Sequence, residues 1–112
     1  MTWHARSSWR KPLWLSLQID RVIPFAYLAV GSRAEVWYYA VAWGFAAWAS
    51  EKRYADLDVQ LLAPNQLVVF ALEEAEVIGL LTRWCSVQGF GLSLHDIFEV
   101  GSHLQVVLRS NR

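Results

Sequence analysis

The stretch from Val36 to Ser50 restricts the fold more than any other part of the chain. Its fifteen residues, VWYYAVAWGFAAWAS, include no charged side chain. A helix that is apolar all round has to be covered on more than one side, and a chain of 112 residues has little material for that cover. The run therefore indicates a buried central helix, a surface that meets a partner, or a contact with a membrane.

Signals at both ends of this run predict a helix. Ser32 and Glu35 have the spacing of a capping box, in which the Ser32 hydroxyl accepts from the N–H of Glu35 and the carboxylate reaches back to the N–H of Ser32. Lys52 and Arg53 follow the run, where cations suit the negative end of the helix dipole. At about 100° per residue the run has two apolar faces. These are Trp37, Val41, Gly44 and Trp48 on one side, and Val36, Tyr39, Ala40, Trp43 and Ala47 on the other.

A transmembrane span is not predicted. A spanning helix needs about 20 apolar residues, whereas this run has fifteen and charged residues bracket it closely on both sides. The N-terminus is basic, but polar residues interrupt the apolar stretch that follows, which is not the pattern of a secretory signal. The single cysteine excludes an intramolecular disulfide and is compatible with the cytoplasmic location that we expect.

The composition predicts one globular domain over residues 1–112. The chain is 55% hydrophobic and 18% charged, and its ten basic and ten acidic side chains leave no net charge. We expect a basic and aromatic N-terminal arm at 1–11 and an α+β core at 12–110. Seven tryptophans are a heavy aromatic load for this length. Such side chains are enriched both in cores and at interfaces, so they favour a protein partner.

The remaining pattern alternates strands and helices. Two strands are predicted at residues 13–19 and 57–61, where apolar and polar side chains alternate. A third, apolar strand is predicted at 67–72, after a turn at Pro64–Asn65. Three glutamates then open a second predicted helix, which runs from 73 to about 87. Residues 97–100 and 103–109 read as a hairpin across Gly101–Ser102. This order predicts a ferredoxin-like split β-α-β-β-α-β fold with an extra hairpin near the C-terminus. The sheet is expected to be antiparallel, in the order fourth, first, third and second strand, with both helices on one face.

The opposite face of this sheet is expected to be open. Trp14 in the first strand and Val107 in the last strand are predicted to lie on it. With a two-residue loop at Pro64–Asn65, Phe70 is predicted to point inward and Val69 to point outward. A mixed face of this kind can be covered by the sheet of a second subunit.

We therefore expect a non-enzymatic protein–protein interaction or assembly module that forms a dimer or larger homo-oligomer, or binds another protein. The predicted interface combines the outer aromatic face of the long helix with the open sheet face. Its residues are Trp14, Trp37, Trp43, Trp48, Val69 and Val107. A few buried aromatic side chains dominate the binding energy of most interfaces.

The alternative is a domain that binds single-stranded nucleic acid through its open sheet face and its N-terminal arm, where basic and aromatic residues interleave. Its predicted binding residues are Arg6, Trp9, Arg10, Lys11, Trp14 and Arg109. In an antiparallel sheet Arg109 ends beside the start of the first strand and joins Lys11 in one basic patch. The neutral net charge and the absence of alternating aromatics in LVVFAL disfavour this reading.

Signals for enzyme chemistry are few. His95 and Asp96 are adjacent, and His95, Glu99 and His103 have a spacing that binds a metal only on a helix, which Gly101–Ser102 argues against. Cys85 has no neighbouring base that lowers its pKa, so a core role is more common for such a residue. No nucleotide-binding fingerprint or paired Cys/His cluster occurs. We expect no catalytic residue, cofactor or metal.

Overall fold

The computed structural model of the chain describes residues 11–20, 25–52, 58–71 and 73–111. These residues form five strands, two helices and a short 3-10 turn at Phe25–Tyr27. In chain order they are β1 (Lys11–Asp20), α1 (Arg33–Lys52), β2 (Asp58–Ala63), β3 (Gln66–Ala71), α2 (Glu74–Val87), β4 (Leu92–Val100) and β5 (His103–Ser110). Residues 1–10 of the predicted N-terminal arm lie outside the described residues.

The strands form one mixed sheet in the order β2-β3-β1-β5-β4. β1 pairs antiparallel with β3 and parallel with β5, while β2–β3 and β4–β5 are antiparallel pairs. Alternate side chains of β1 and β5 are buried, and together with the buried sides of both helices they make one hydrophobic core. Both helices therefore cover the same face of the sheet, and the other face is open.

The predicted α+β class is confirmed, but the predicted ferredoxin-like strand order is not found. That order requires a last strand antiparallel to β1. In the structure β5 lies beside β1 and runs parallel to it, with Trp14 opposite His103 and Asp20 opposite Arg109. β4 takes the outer edge of the sheet, and the hairpin through Gly101 brings β5 back between β4 and β1.

The strand order differs from the prediction because β4 is a longer strand than the sequence predicts. The sequence predicts a strand only from Ile97, whereas β4 begins at Leu92. A register shift between Leu94 and Asp96 interrupts the alternation of buried and exposed side chains. An edge strand with a bulge lacks the regular period of two that reveals a strand in a sequence.

A second bulge reverses the predicted faces of β3. The turn at Pro64–Asn65 has the predicted two residues, since Ala63 pairs with Gln66. The register then shifts between Leu61 and Ala63, so that Leu61 pairs with Leu67 and Val59 with Val69. A shift of one residue moves every side chain to the other face. Val69, predicted at the open face, is completely buried in the core, so its place in the predicted interface is wrong.

The start of α1 agrees with the predicted capping box in one of its two bonds. The N–H of Glu35 donates to the Ser32 hydroxyl at 3.1 Å. The Glu35 carboxylate accepts from the N–H of Gly31 at 2.7 Å, and the N–H of Ser32 donates to the carbonyl of Ala29 instead. The Ser32 and Glu35 side chains thereby partner one N–H group of the first turn and one N–H group just before the helix.

Tyr38 of α1 completes the hydrogen bonding of β1. β3 pairs with β1 only as far as Ser16. Beyond that point the N–H of Leu17 donates to the Asn65 carbonyl at 2.7 Å, and the buried N–H of Ile19 donates to the Tyr38 hydroxyl at 2.8 Å. A helix side chain thus replaces the missing strand, which fixes α1 against the end of β1.

Candidate interaction surface

A row of exposed apolar side chains runs along the side of α1 that faces away from the sheet. The exposed fractions of its three largest side chains are 64% for Trp43, 62% for Val36 and 46% for Tyr39. We call this row the α1 stripe; its exposed residues are Val36, Tyr39, Ala40, Trp43, Ala47 and Ser50. The first five are the face that helical spacing groups together, and the structure leaves that face uncovered.

The opposite side of α1 packs into the core. Tyr38, Val41, Ala42, Phe45 and Ala49 are buried there against the sheet and α2. The fold therefore supplies cover for one side of an apolar helix and leaves the other side in contact with water. Single exposed apolar residues are common on protein surfaces, whereas large contiguous apolar patches are typical of interaction sites.

The three tryptophans of α1 have different surroundings. The Trp37 ring packs edge-on against Phe90, with ring centroids 5.4 Å apart, and the Trp48 ring lies 6.5 Å from Phe45. Both are partly buried against the core, while Trp43 points to solvent. Of the three tryptophans of α1 in the predicted interface, Trp43 is therefore the most exposed and the one that a partner can bury most fully.

A groove lies between the C-terminal half of the α1 stripe and the edge strand β2. Its volume is about 300 Å³. The lining side chains are small or apolar: Trp43, Ala46, Ala47, Ser50, Val59 and Leu61. An apolar groove at the end of an exposed apolar row extends the surface available to a partner.

The open sheet face carries a second apolar region. Trp14, Val68 and His103 lie side by side on β1, β3 and β5, because directly paired residues point to the same face. Val100 pairs with His103 at the outer edge and is 75% exposed. Val107 also lies on this face, as predicted, and is half-buried.

Phe70 joins this open face, contrary to the prediction that it points inward. It pairs with Pro12, two residues before Trp14 on the neighbouring strand. Side chains in such a diagonal relation lie about 7–8 Å apart and are within reach of each other when aromatic. The corrected register therefore brings two aromatic side chains of the central strands to one face, which the sequence did not reveal.

Ser16 and His103 form a hydrogen-bonded pair that the sequence analysis missed. The Ser16 hydroxyl lies 2.9 Å from His103 Nε2, beside a pocket of about 110 Å³ that Trp14 and Leu62 help to line. Nucleophilic catalysis needs a third group to orient the base and donors for an oxyanion. The described hydrogen bonds of His103 include no carboxylate. The two residues are 87 positions apart, so only the parallel pairing of β1 with β5 brings them together.

The basic patch predicted from Lys11 and Arg109 is wrong. Because β5 runs parallel to β1, Arg109 pairs with Asp20 at the opposite end of β1 from Lys11. Nine residues at about 3.3 Å each separate the two positions by about 30 Å. Arg109 donates to the Asp20 carboxylate at 2.9 Å, and Lys11 contacts Glu74 at 3.2 Å.

The other residues of the predicted nucleic-acid site, apart from Trp14, lie outside the described residues. These are Arg6, Trp9 and Arg10. Their binding role stays a prediction.

The residues considered for catalysis or metal binding do not converge. His95 lies 3.1 Å from an Arg109 nitrogen, while Asp96 accepts from the N–H of Ile97. Glu99 and His103 are in strands, where a spacing of four does not align side chains as it does on a helix. In the described part of the chain no three His, Cys, Asp or Glu side chains lie close enough to hold a metal.

Cys85 of α2 packs against the core. Burial raises the pKa of its thiol to about 11. The thiolate is the nucleophilic form of cysteine, so the folded protein keeps this side chain in its unreactive form at neutral pH.

Comparison of the chain with protein-family models, curated proteins and solved structures gives no match. Over the residues that the structure describes, neither helix combines the length and the hydropathy needed to cross a membrane.

Proposed function

We propose that the chain is a non-enzymatic protein–protein interaction module that self-associates into a homo-oligomer through the α1 stripe. One observation carries the proposal: the longest helix exposes a continuous apolar row with no charge between Val36 and Ser50. The contact of the Trp43 ring with water is unfavourable, and a partner that covers the ring removes that contact. Truncation of such an anchor typically costs about 2 kcal/mol or more of binding free energy. The proposed location is the cytoplasm, where a lone thiol stays reduced.

The open sheet face is the proposed second contact for assemblies larger than a dimer. Trp14 and Val107 point outward there, and the exposed Val100 lies at the outer edge of the same face. The two contacts are on opposite sides of the molecule, so they can be used at the same time. A chain with both contacts active builds an assembly of more than two copies.

Substitution of Trp43 by lysine tests the proposal. We expect Trp43→Lys to shift the molecular mass in solution from that of an oligomer toward 12.8 kDa, the mass of one chain. A lysine amine in the contact has to lose its water without a partner for its charge, which opposes association. The measurement is light scattering after size exclusion, with circular dichroism to verify the fold.

Val100→Lys is the matched control. Val100 is as exposed as Trp43 but lies on the opposite side of the sheet. This variant should keep the α1 contact and lose at most the larger assemblies. If both variants retain the mass of the unmodified protein, the α1 stripe is not the self-association surface. If Val100→Lys alone produces the monomer, the contact is made by the sheet.

Binding of single-stranded nucleic acid is the second candidate function, and the position of Phe70 favours it. Trp14 and Phe70 share the open face of neighbouring central strands, which is where sheet domains stack bases on aromatics. Against it, Arg109, a basic residue of this face, is paired with Asp20.

Titration with a labelled single-stranded oligonucleotide tests this second candidate. Trp14→Leu should weaken binding about tenfold, since stacking on one aromatic contributes about 1–3 kcal/mol. Removal of residues 1–11 should reduce the salt dependence of binding. Trp43→Lys is the control and should bind as the unmodified chain does. No binding at about 50 mM salt, where phosphate contacts are strong, eliminates this candidate.

A further inference from the structure

We propose that two copies of this chain pair through the α1 stripe in antiparallel orientation, about a twofold axis opposite Trp43. This inference rests on the proposed function and adds the geometry of the contact. Trp43 is at the centre of the exposed row: Val36 and Ser50 lie seven residues before and after it, and Tyr39 and Ala47 lie four before and after it. Steps of four and seven residues are close to whole helical turns. The row therefore extends equally far on both sides of Trp43, so an antiparallel twofold pair centred there overlaps along the whole row.

The sizes of the side chains favour the antiparallel orientation. The large members Val36 and Tyr39 are in the N-terminal half of the stripe, and the small members Ala47 and Ser50 are in the C-terminal half. Antiparallel helices bring the large half of one copy onto the small half of the other. A parallel twofold pair sets Tyr39 against Tyr39 and leaves a gap between the alanines, and such gaps lose packing energy.

The groove beside α1 fits a side chain of the second copy. It lies next to the C-terminal half of the stripe, where Ala46, Ser50 and Val59 line it. Helical angles place Tyr39 on the same flank of the stripe as Ala46 and Ser50. A twofold axis perpendicular to α1 keeps that flank on the same side in both copies. Tyr39 of one copy therefore faces the groove of the other, and this contact occurs twice.

Charges at the ends of α1 favour the same orientation. Arg33 precedes Trp43 by ten residues, Glu51 follows it by eight, and both are exposed on the flank opposite the groove. In the antiparallel pair Arg33 of one copy and Glu51 of the other differ in level by two residues, about 3 Å along the axis. Two symmetric ion pairs result. In a parallel pair the two copies of this flank lie on opposite sides of the contact, and Arg33 and Glu51 are at opposite ends, so the two ion pairs are absent.

The expected dimer is weak. From Val36 to Ser50 the stripe is about 21 Å long, and a contact one helix wide, about 10 Å, covers about 210 Å² of each copy in projection, or about 420 Å² in total. On its own that area is below the range of specific interfaces, so other parts of the surface have to contribute. We therefore expect association in the micromolar range, with the groove and β2 adding to the buried area.

Charge reversal tests the orientation. Arg33→Glu and Glu51→Arg should each weaken dimerisation roughly tenfold, because each variant converts two attractive pairs into two repulsive ones. The double variant R33E/E51R should restore the affinity of the unmodified chain. Arg33→Glu places an acidic residue at the N-terminus of α1 and Glu51→Arg a basic residue at its C-terminus, and both charges are favourable to the helix dipole. Unfolding of α1 therefore does not explain the loss of the dimer in either variant. The measurement is sedimentation equilibrium at low salt.

Tyr39→Ala tests the groove, with Tyr27→Ala as its control. Tyr27 is 80% exposed and lies outside α1. We expect at least a tenfold weaker dimer from Tyr39→Ala and no change from Tyr27→Ala.

The possible results separate the two proposals. Weakening by both single reversals and recovery in the double variant support the antiparallel pair. A dimer that Trp43→Lys dissociates but that neither charge reversal affects overturns the antiparallel geometry and leaves the proposed function intact. A chain that stays monomeric at every concentration overturns both.

Discussion

The hydroxyl of Tyr38 is expected to stabilise the folded chain through a buried hydrogen bond to β1. It accepts the N–H of Ile19 at 2.8 Å in a buried position, where β1 has run past the end of β3. Tyr38→Phe keeps the ring and its edge-on contact with Phe25 at 5.5 Å. The substitution removes only the hydroxyl, so the N–H of Ile19 is left buried without a partner.

The size of the effect follows from that unsatisfied group. A buried donor that loses its acceptor costs about 1–3 kcal/mol, because its hydration is not recovered in the folded state. The loss of the hydroxyl's own desolvation cost offsets a part of this. For a chain of this length the slope of unfolding free energy against urea is about 1–3 kcal/mol per molar. We therefore expect the urea midpoint of Tyr38→Phe to fall by about 1 M.

Tyr39→Phe is the matched control, since the adjacent side chain in the same helix is 46% exposed. Urea unfolding followed by tryptophan fluorescence should give Tyr39→Phe a free energy of unfolding within about 0.5 kcal/mol of that of the unmodified protein. Measurement at two concentrations tenfold apart separates the change in folding from any change in association. Equal midpoints for Tyr38→Phe and Tyr39→Phe would refute the role of the hydroxyl in completing β1.

Two further predictions concern packing and titration. A Cβ on Gly44 lies 2.9 Å from the ring of Phe90, which two tryptophans hold in place, so Gly44→Ala should lower the free energy of unfolding by about 1–3 kcal/mol. A Cβ on Gly79 of α2 meets open space, so Gly79→Ala should raise the free energy of unfolding by about 0.5–1 kcal/mol. Urea midpoints of Gly44→Ala and Gly79→Ala that move in the same direction contradict this pair of predictions. Burial raises the pKa of the Cys85 thiol to about 11. The alkylation rate of the folded protein should therefore keep increasing up to about that pH, whereas the rate of the urea-unfolded chain should level off above about pH 8.5, the usual pKa of a thiol. Because the unfolded chain releases this proton first, stability should fall as the pH rises from about 8.5 to 11, and a folded-state rate that levels off near pH 9 contradicts the burial of the thiol.

The helix could be predicted in detail because its geometry is local. A fixed angle per residue sorted Val36, Tyr39 and Trp43 onto one face, and that face is the exposed one. The same spacing could not tell which face packs on the sheet. That depends on which neighbours fill the space beside the helix, such as Phe90 against Gly44.

The sheet could be predicted less well because its register depends on two bulges. One interrupts β2 beside Leu61 and the other interrupts β4 beside Leu94. Neither position has a glycine or another residue that signals an extra residue in a strand. One undetected bulge was enough to exchange the faces of Val69 and Phe70.

Contacts that join distant parts of the chain were not predictable from local pattern. The parallel pairing of β1 with β5 separates Lys11 from Arg109 and brings Ser16 to His103. It follows from where β4 lies in the sheet, and the sequence of β4 has no clear period. Of the two candidate surfaces, the α1 stripe could therefore be predicted from the sequence. The side chains of the open sheet face could not, because they depend on how the strands pair.

The molecular mass of the unmodified chain as a function of concentration tests the central claim most directly. Sedimentation equilibrium from roughly 1 to 500 µM covers the range of a weak dimer. We predict a mass that rises from 12.8 kDa toward twice that value or more as the concentration increases. A mass that stays at 12.8 kDa over the whole range contradicts self-association through the α1 stripe.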